Sequence, residues 1–102
     1  MKWTVVARPQ AKNDVLEAAD WYDGQQPGLG DEFIDEVLTV FDALAVDPLQ
    51  YCRRPPIKNI RWRYPKRFPY RVIYEVLEED RLVVIAAITH AARHDRVWGQ
   101  RF

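Results

Sequence analysis

The stretch of sequence that decides the fold is YRVIYEVLEEDRLVVIAAIT, residues 70–89. Tyr70–Leu77 and Leu82–Thr89 are both rich in β-branched and aromatic residues, and the charged residues 78–81 between them predict a hairpin turn. Leu82–Thr89 is apolar throughout, which is typical of a strand inside a sheet. We therefore expect two adjacent antiparallel strands, the second of them interior.

The residues just before this hairpin predict a further strand with two unlike faces. Residues alternate from Lys58 to Tyr64, so one face carries Arg61 and Arg63 and the other carries Ile60, Trp62 and Tyr64. We expect the apolar face to pack against helices. The basic face, together with Arg71, is then expected to be open.

Two amphipathic helices precede these strands. Apolar residues recur at helical spacing from Gln10 to about Asp23, and again after Asp31, whose side chain is the expected N-cap. The cluster Gly24–Gly30 predicts a turn between them, and Pro48 ends the second helix. The short connection predicts an antiparallel helical hairpin.

The segment Lys2–Ala7 completes the pattern as a first strand. The chain of 102 residues is expected to form a single domain over residues 1–102. Its fold class is α+β with the order β-α-α-β-β-β, in which the helical hairpin packs on one face of a small, antiparallel-rich sheet.

Charge is segregated along the chain although the formal net charge is zero. Residues 13–52 hold ten acids and no Lys or Arg, whereas residues 53–74 hold eight bases and no acid. Such a molecule can offer a cationic surface to phosphate and an acidic surface to a cationic partner segment. The simplest alternative for each block is a solvated face.

Several function classes are excluded by what the sequence lacks. It contains no serine, so serine hydrolases are ruled out, and neither a P-loop nor a dinucleotide-binding fingerprint occurs. The single Cys52 cannot form an internal disulfide, and no cofactor or metal site is expected. With no apolar run long enough for a membrane span, we expect a cytoplasmic protein.

Four segments in order carry a family resemblance: Trp21-Tyr22, PGLGDEF (27–33), FPYRVIY (68–74) and His90-x-x-Arg93-x-x-x-x-Trp98-x-x-Arg101. Together they resemble the RelE/ParE superfamily of bacterial toxin-antitoxin toxins over nearly the whole chain. The resemblance implies a growth-inhibiting toxin, of the kind associated with plasmid stabilization. It further implies a cognate antitoxin from the adjacent gene and a toxin-antitoxin hetero-oligomer.

The resemblance leaves two targets open. RelE-like members cleave mRNA on the ribosome, and ParE-like members poison DNA gyrase without that chemistry. The clustered bases favour ribosome-associated mRNA cleavage by a metal-independent endoribonuclease. The alternative is a ParE-like, non-enzymatic gyrase inhibitor, and a third candidate is a non-toxic binding module of the same fold.

For RNA cleavage the expected catalytic residues are Arg71, His90 and Arg93. Arg71 matches the phosphate-stabilising arginine that the resemblance implies, and His90 is suited to proton transfer near neutral pH. Arg93 would be its cationic neighbour. The structural alternatives are an ion pair of Arg71 with Glu75 or an acid of the first helix, and a backbone hydrogen bond at His90.

The expected binding residues lie in the basic block and at the C-terminus. An RNA strand is expected to contact Lys58, Arg61, Arg63, Arg67 and Trp98, and an antitoxin is expected to pair its acids with Arg61, Arg63 and Arg67. Trp98 lies where several family nucleases place a tyrosine or histidine. Because an indole cannot act as a general acid or base, this difference favours the gyrase alternative. Packing of the C-terminus is the structural alternative for Trp98.

Overall fold

The computed structural model describes residues 2–50, 53–54 and 59–91, which form an α+β fold. The elements are β1 (Thr4–Ala7), α1 (Pro9–Gln25), α2 (Leu29–Val46), β2 (Arg53–Arg54), β3 (Ile60–Arg63), β4 (Tyr70–Leu77) and β5 (Leu82–His90). The predicted fold class is confirmed. The two-residue strand β2 is an addition that the sequence pattern did not reveal, because two residues are too few to show alternation.

The sheet has the order β1-β5-β4-β3-β2, so the apolar strand β5 is interior, as predicted. β1 runs parallel to β5, and the other pairs are antiparallel. The turn between β4 and β5 also contacts β1. The backbone carbonyl of Arg81 accepts a hydrogen bond from the N–H of Thr4 at 3.0 Å, and the Arg81 guanidinium lies 4.5 Å from the Trp3 ring centroid.

The helices begin and end at slightly different residues from those expected. α1 continues through Gly24, which shortens the link to residues 26–28. The predicted cap at Asp31 is wrong, because Gly28 at φ 89° lets the chain reverse earlier and places Asp31 in the first turn of α2. Neither helix in the described part of the chain has the length and apolar character needed to cross a membrane.

The helical hairpin packs on one face of the sheet and makes the main core with it. Phe33, Val37 and Leu44 of α2 contribute most of the helical side. The sheet supplies Val72, Tyr74, Val76, Val83, Ile85 and Ile88. The even-numbered residues of β4 therefore face the helices, and the odd-numbered residues face away.

The prediction that the apolar face of β3 packs against the helices is wrong. Trp62 pairs with Ile73, and both lie in a second, smaller cluster with Ile60 and Ala87, on the sheet face without helices. Alternation tells which residues of a strand share a face, but the choice of face depends on the pairing with β4, which the sequence does not give.

Candidate functional site

Arg71 lies on the helix-free face of the sheet. It is one residue before Val72, which faces the core, and it pairs with Thr89 on β5. Arg71 is 8% exposed and Thr89 is 4% exposed. The helix-free face thus carries a buried arginine beside the Ile60, Trp62, Ile73 and Ala87 cluster. The open row of arginines expected from the sequence is not found there.

Arg61 and Arg63 lie on the opposite side from Arg71. They pair with Tyr74 and Val72, whose side chains belong to the helix-side core. Arg61 donates from its guanidinium to Asn59 Oδ1 at 2.9 Å and to the Leu49 carbonyl at 2.7 Å, just beyond α2. The expectation that Arg61, Arg63 and Arg71 share one face is therefore wrong. Contact of Arg61 and Arg63 with RNA or an antitoxin stays a prediction.

Arg67 holds the loop between β3 and β4 to α2. Its backbone N–H donates to Glu36 at 2.9 Å, its side chain also contacts Glu36, and its guanidinium lies 3.4 Å from Glu32. Burial raises the pKa of Glu36, but hydrogen bonds from Arg67 outweigh burial and hold that pKa below its usual value. The charge of Arg67 is thus engaged within the chain, and its role toward a partner stays a prediction.

His90 lies at the end of β5, on the helix side. It pairs with Tyr70, and the two rings meet edge to face at 5.3 Å between centroids. Because Tyr70 and Arg71 are successive residues of one strand, His90 and Arg71 project to opposite faces of the sheet. The structure does not bring these two predicted catalytic side chains together.

A cleft lies beside His90 that the sequence analysis did not anticipate. It measures about 220 Å³ and is lined by Asp14, Glu17, Ala18, Trp21, Tyr70, Ile88, Thr89 and His90. Trp21 and Tyr70 belong to segments singled out in the sequence, but the sequence pattern assigned Asp14 and Glu17 to a solvated helix face. Only the packing of α1 against the end of β5 reveals that they meet His90.

A second depression is apolar and lies between β1 and the two helices. It measures about 370 Å³ and includes Leu16 and Leu38, which are 60% and 50% exposed. The remaining lining residues are Ala7, Ala11, Lys12, Val15, Ile34, Val37 and Phe41. We call this surface the hairpin groove.

Lys58, Arg93 and Trp98 lie outside the described residues. Within the described ranges, no three His, Cys, Asp or Glu side chains gather in a way that could hold a metal ion.

A family model described as the ParE toxin of the type II toxin-antitoxin system parDE matches residues 5–95. That range covers most of the chain. The chain belongs to the ParE toxin family. It is thus a toxin of a type II toxin-antitoxin system, as the sequence resemblance implied. No curated protein matches the chain.

Solved toxin structures share the fold of this ParE-family chain. The chromosomal ParDE system from P. aeruginosa aligns with a TM-score of 0.73 at 16% identity, over 87% of this chain and 96% of that one. A mutant of the E. coli toxin RelE in the free state gives 0.71 at 11% identity, over 100% and 99%. The RelBE2 toxin-antitoxin complex from Mycobacterium tuberculosis gives 0.58 at 22% identity, over 88% and 99%.

Proposed function

We propose that this toxin arrests growth by binding DNA gyrase and not by cleaving RNA. The observation that carries the proposal is the separation of Arg71 and His90 on opposite faces of the sheet. A proton carrier and a phosphate-stabilising cation must reach the same reacting group to act on one RNA linkage. Membership of the ParE family supports the same choice, because the resemblance implies no RNA chemistry in ParE-like members.

The first prediction compares wild type with Arg71→Ala and His90→Gln in two assays. One assay follows gyrase supercoiling, and the other maps mRNA ends on translating ribosomes. We expect wild type and His90→Gln to block supercoiling alike and to leave mRNA intact, because no proton is transferred. In a nuclease, each substitution would lower the cleavage rate by about a hundredfold or more.

Lys2→Ala is the control, because it removes an exposed cation ahead of β1, at the end of the sheet opposite to Arg71 and His90. Thermal unfolding of each variant distinguishes loss of function from loss of fold. Cleavage of mRNA by wild type that disappears in Arg71→Ala and His90→Gln, with normal supercoiling, would overturn the proposal in favour of the endoribonuclease alternative.

The partner that we propose for the hairpin groove is an apolar segment of the cognate antitoxin. The groove exposes Leu16 and Leu38, and its helices carry acids without bases after Lys12, so a segment with apolar anchors and flanking cations would fit. Solved neighbours of the fold include toxin-antitoxin complexes, which agrees with such a partner.

The second prediction tests this surface with antitoxin encoded by the adjacent gene. Leu16→Ala with Leu38→Ala is expected to weaken antitoxin binding about tenfold or more, because buried apolar anchors dominate interface energetics. Val46→Ala is the control, since Val46 is equally apolar and 66% exposed but does not line the groove. Equal affinities in calorimetry, together with weakening by reversal of Arg61 and Arg63, would instead place the antitoxin on the basic strand.

A further inference from the structure

The cleft beside His90 has an acidic rim. Asp14 and Glu17 contribute carboxylates one helical turn apart on α1, and none of the eight lining residues is Lys or Arg. Glu17 is exposed and accepts a hydrogen bond from Asn13 at 3.0 Å, which fixes its side chain along the helix. A carboxylate accepts several hydrogen bonds, so both oxygens of Glu17 retain capacity for a donor.

The walls of the same cleft are aromatic. Trp21 is 58% exposed, a large exposure for an indole, and Tyr70 and His90, whose rings meet edge to face, line the same cleft. An indole face attracts cations. A guanidinium can stack on it while its planar N–H donors stay available to carboxylates. The combination of an exposed indole with carboxylates suits an arginine better than a lysine, whose compact charge is more strongly hydrated.

The backbone at the floor of the cleft favours binding of a side chain over addition of a β-strand from a partner. β1 ends at Ala7, opposite Ile85, and beyond that point no strand within the described residues pairs with β5 on this side. The N–H of Ile88 donates instead to Asp14 Oδ2 at 3.0 Å. An added strand would have to displace this carboxylate.

We propose that this cleft receives an arginine side chain of the antitoxin, an inference that rests on the antitoxin partnership proposed above. The guanidinium stacks on Trp21 and donates to Glu17, with Tyr70 and His90 enclosing its other side. The hairpin groove lies on the opposite flank of α1, where Leu16 directly precedes Glu17. One antitoxin segment that crosses α1 can therefore fill the groove and place an arginine in the cleft.

The test uses a small probe, so that it does not depend on the toxin's target. N-acetyl-arginine methylamide is titrated into the ¹⁵N-labelled full chain and compared with N-acetyl-citrulline methylamide, which has the same length without the charge. We expect saturable shifts of the Trp21 indole N–H and of the Glu17, Ile88 and His90 amides with the arginine probe. The citrulline probe is expected to bind about threefold or more weakly.

Two matched variants make the result specific. Glu17→Gln is expected to weaken the arginine probe about threefold, whereas Asp20→Asn, which removes an equal charge from the same helix outside the cleft, leaves binding unchanged. Equal binding of both probes, shifts centred elsewhere, or equal binding to Glu17→Gln and wild type would overturn the proposal. Any of these results would leave the gyrase assay and the antitoxin calorimetry of the Leu16 and Leu38 variants unaffected, so the proposals fail separately.

Discussion

At the scale of single residues, Tyr74 joins the sheet to the end of α2. Its ring is fully buried, and its hydroxyl donates to the Pro48 carbonyl at 3.0 Å, across 26 residues of sequence. The sequence predicted Tyr74 in a strand and Pro48 after a helix. It could not pair them, because a contact between distant segments depends on how the elements pack.

Removing this hydroxyl is expected to destabilise the fold without changing its packing. Tyr74→Phe should lower the free energy of unfolding by about 1 kcal/mol, because a buried carbonyl loses its donor. Urea unfolding monitored by tryptophan fluorescence measures the change. Tyr64→Phe is the control, since Tyr64 is exposed, and it should unfold like wild type. Equal midpoints for the two variants would show that the Pro48 contact contributes nothing.

The contact between Glu36 and Arg67 is expected to make stability depend on pH. Folding lowers the pKa of the Glu36 carboxyl. The ionised carboxylate therefore stabilises the fold fully at pH values above the pKa that Glu36 has in the unfolded chain. This stabilisation is lost as the pH falls through the lower pKa that Glu36 has in the folded chain. The difference in unfolding free energy between wild type and Glu36→Gln should therefore be greatest near neutral pH and shrink in acid. In an Arg67→Gln background, the same substitution should show a much smaller pH dependence. A constant difference from neutral to acidic pH in the wild-type background would contradict the assignment.

At the scale of elements, the two helices approach each other closely at Gly30. A methyl group added there would lie 2.4 Å from the Ala19 carbonyl oxygen, and the Gly30 N–H donates to Asp23 Oδ1 at 2.7 Å. The sequence placed Gly24, Gly28 and Gly30 together in a turn. Their roles differ in the structure: Gly24 is helical, Gly28 reverses the chain, and Gly30 permits close packing.

Alanine substitutions at two of these glycines are expected to have opposite effects. Gly30→Ala should cost about 1–3 kcal/mol, because a backbone carbonyl cannot move aside easily. Gly24→Ala should stabilise the chain by about 0.5–1 kcal/mol, since the added methyl group would meet no described atom within 4 Å other than the local backbone of α1. Thermal unfolding of both variants provides the comparison. Destabilisation by Gly24→Ala, or none by Gly30→Ala, would contradict this account of the helix contact.

Sequence periodicity predicted the strands but not all of their orientations. It correctly predicted the interior strand β5 and the hairpin with β4, because a wholly apolar run and a charged turn are local properties. It could not decide which face of β3 meets the helices. The same ambiguity affected the candidate site. Arg61, Arg63 and Arg71 were expected on one face of the sheet, but Arg71 lies on the opposite face from Arg61 and Arg63.

At the scale of the whole molecule, the fold separates the charge blocks in space. The acids from residue 14 to residue 47 lie on the helical hairpin and the residue that follows it, and Arg61, Arg63 and Arg71 lie on the sheet. Arg67 connects the two blocks through Glu32 and Glu36. Neutral total charge therefore hides an uneven distribution: the cleft beside His90 has an acidic rim, whereas the hairpin groove is apolar and Lys12 is its charged lining residue.

The parallel pairing of β1 with β5 affects when the toxin can become active. Thr4 lies opposite Leu82, so β1 is synthesised before β5 and cannot pair with it until β5 has been made. Such distant pairings form slowly compared with local ones. A nascent chain that stops before β5 lacks the strand that joins β1 to β4, so the sheet cannot form. Translation that stops before β5 should therefore yield fragments that do not fold and are not toxic.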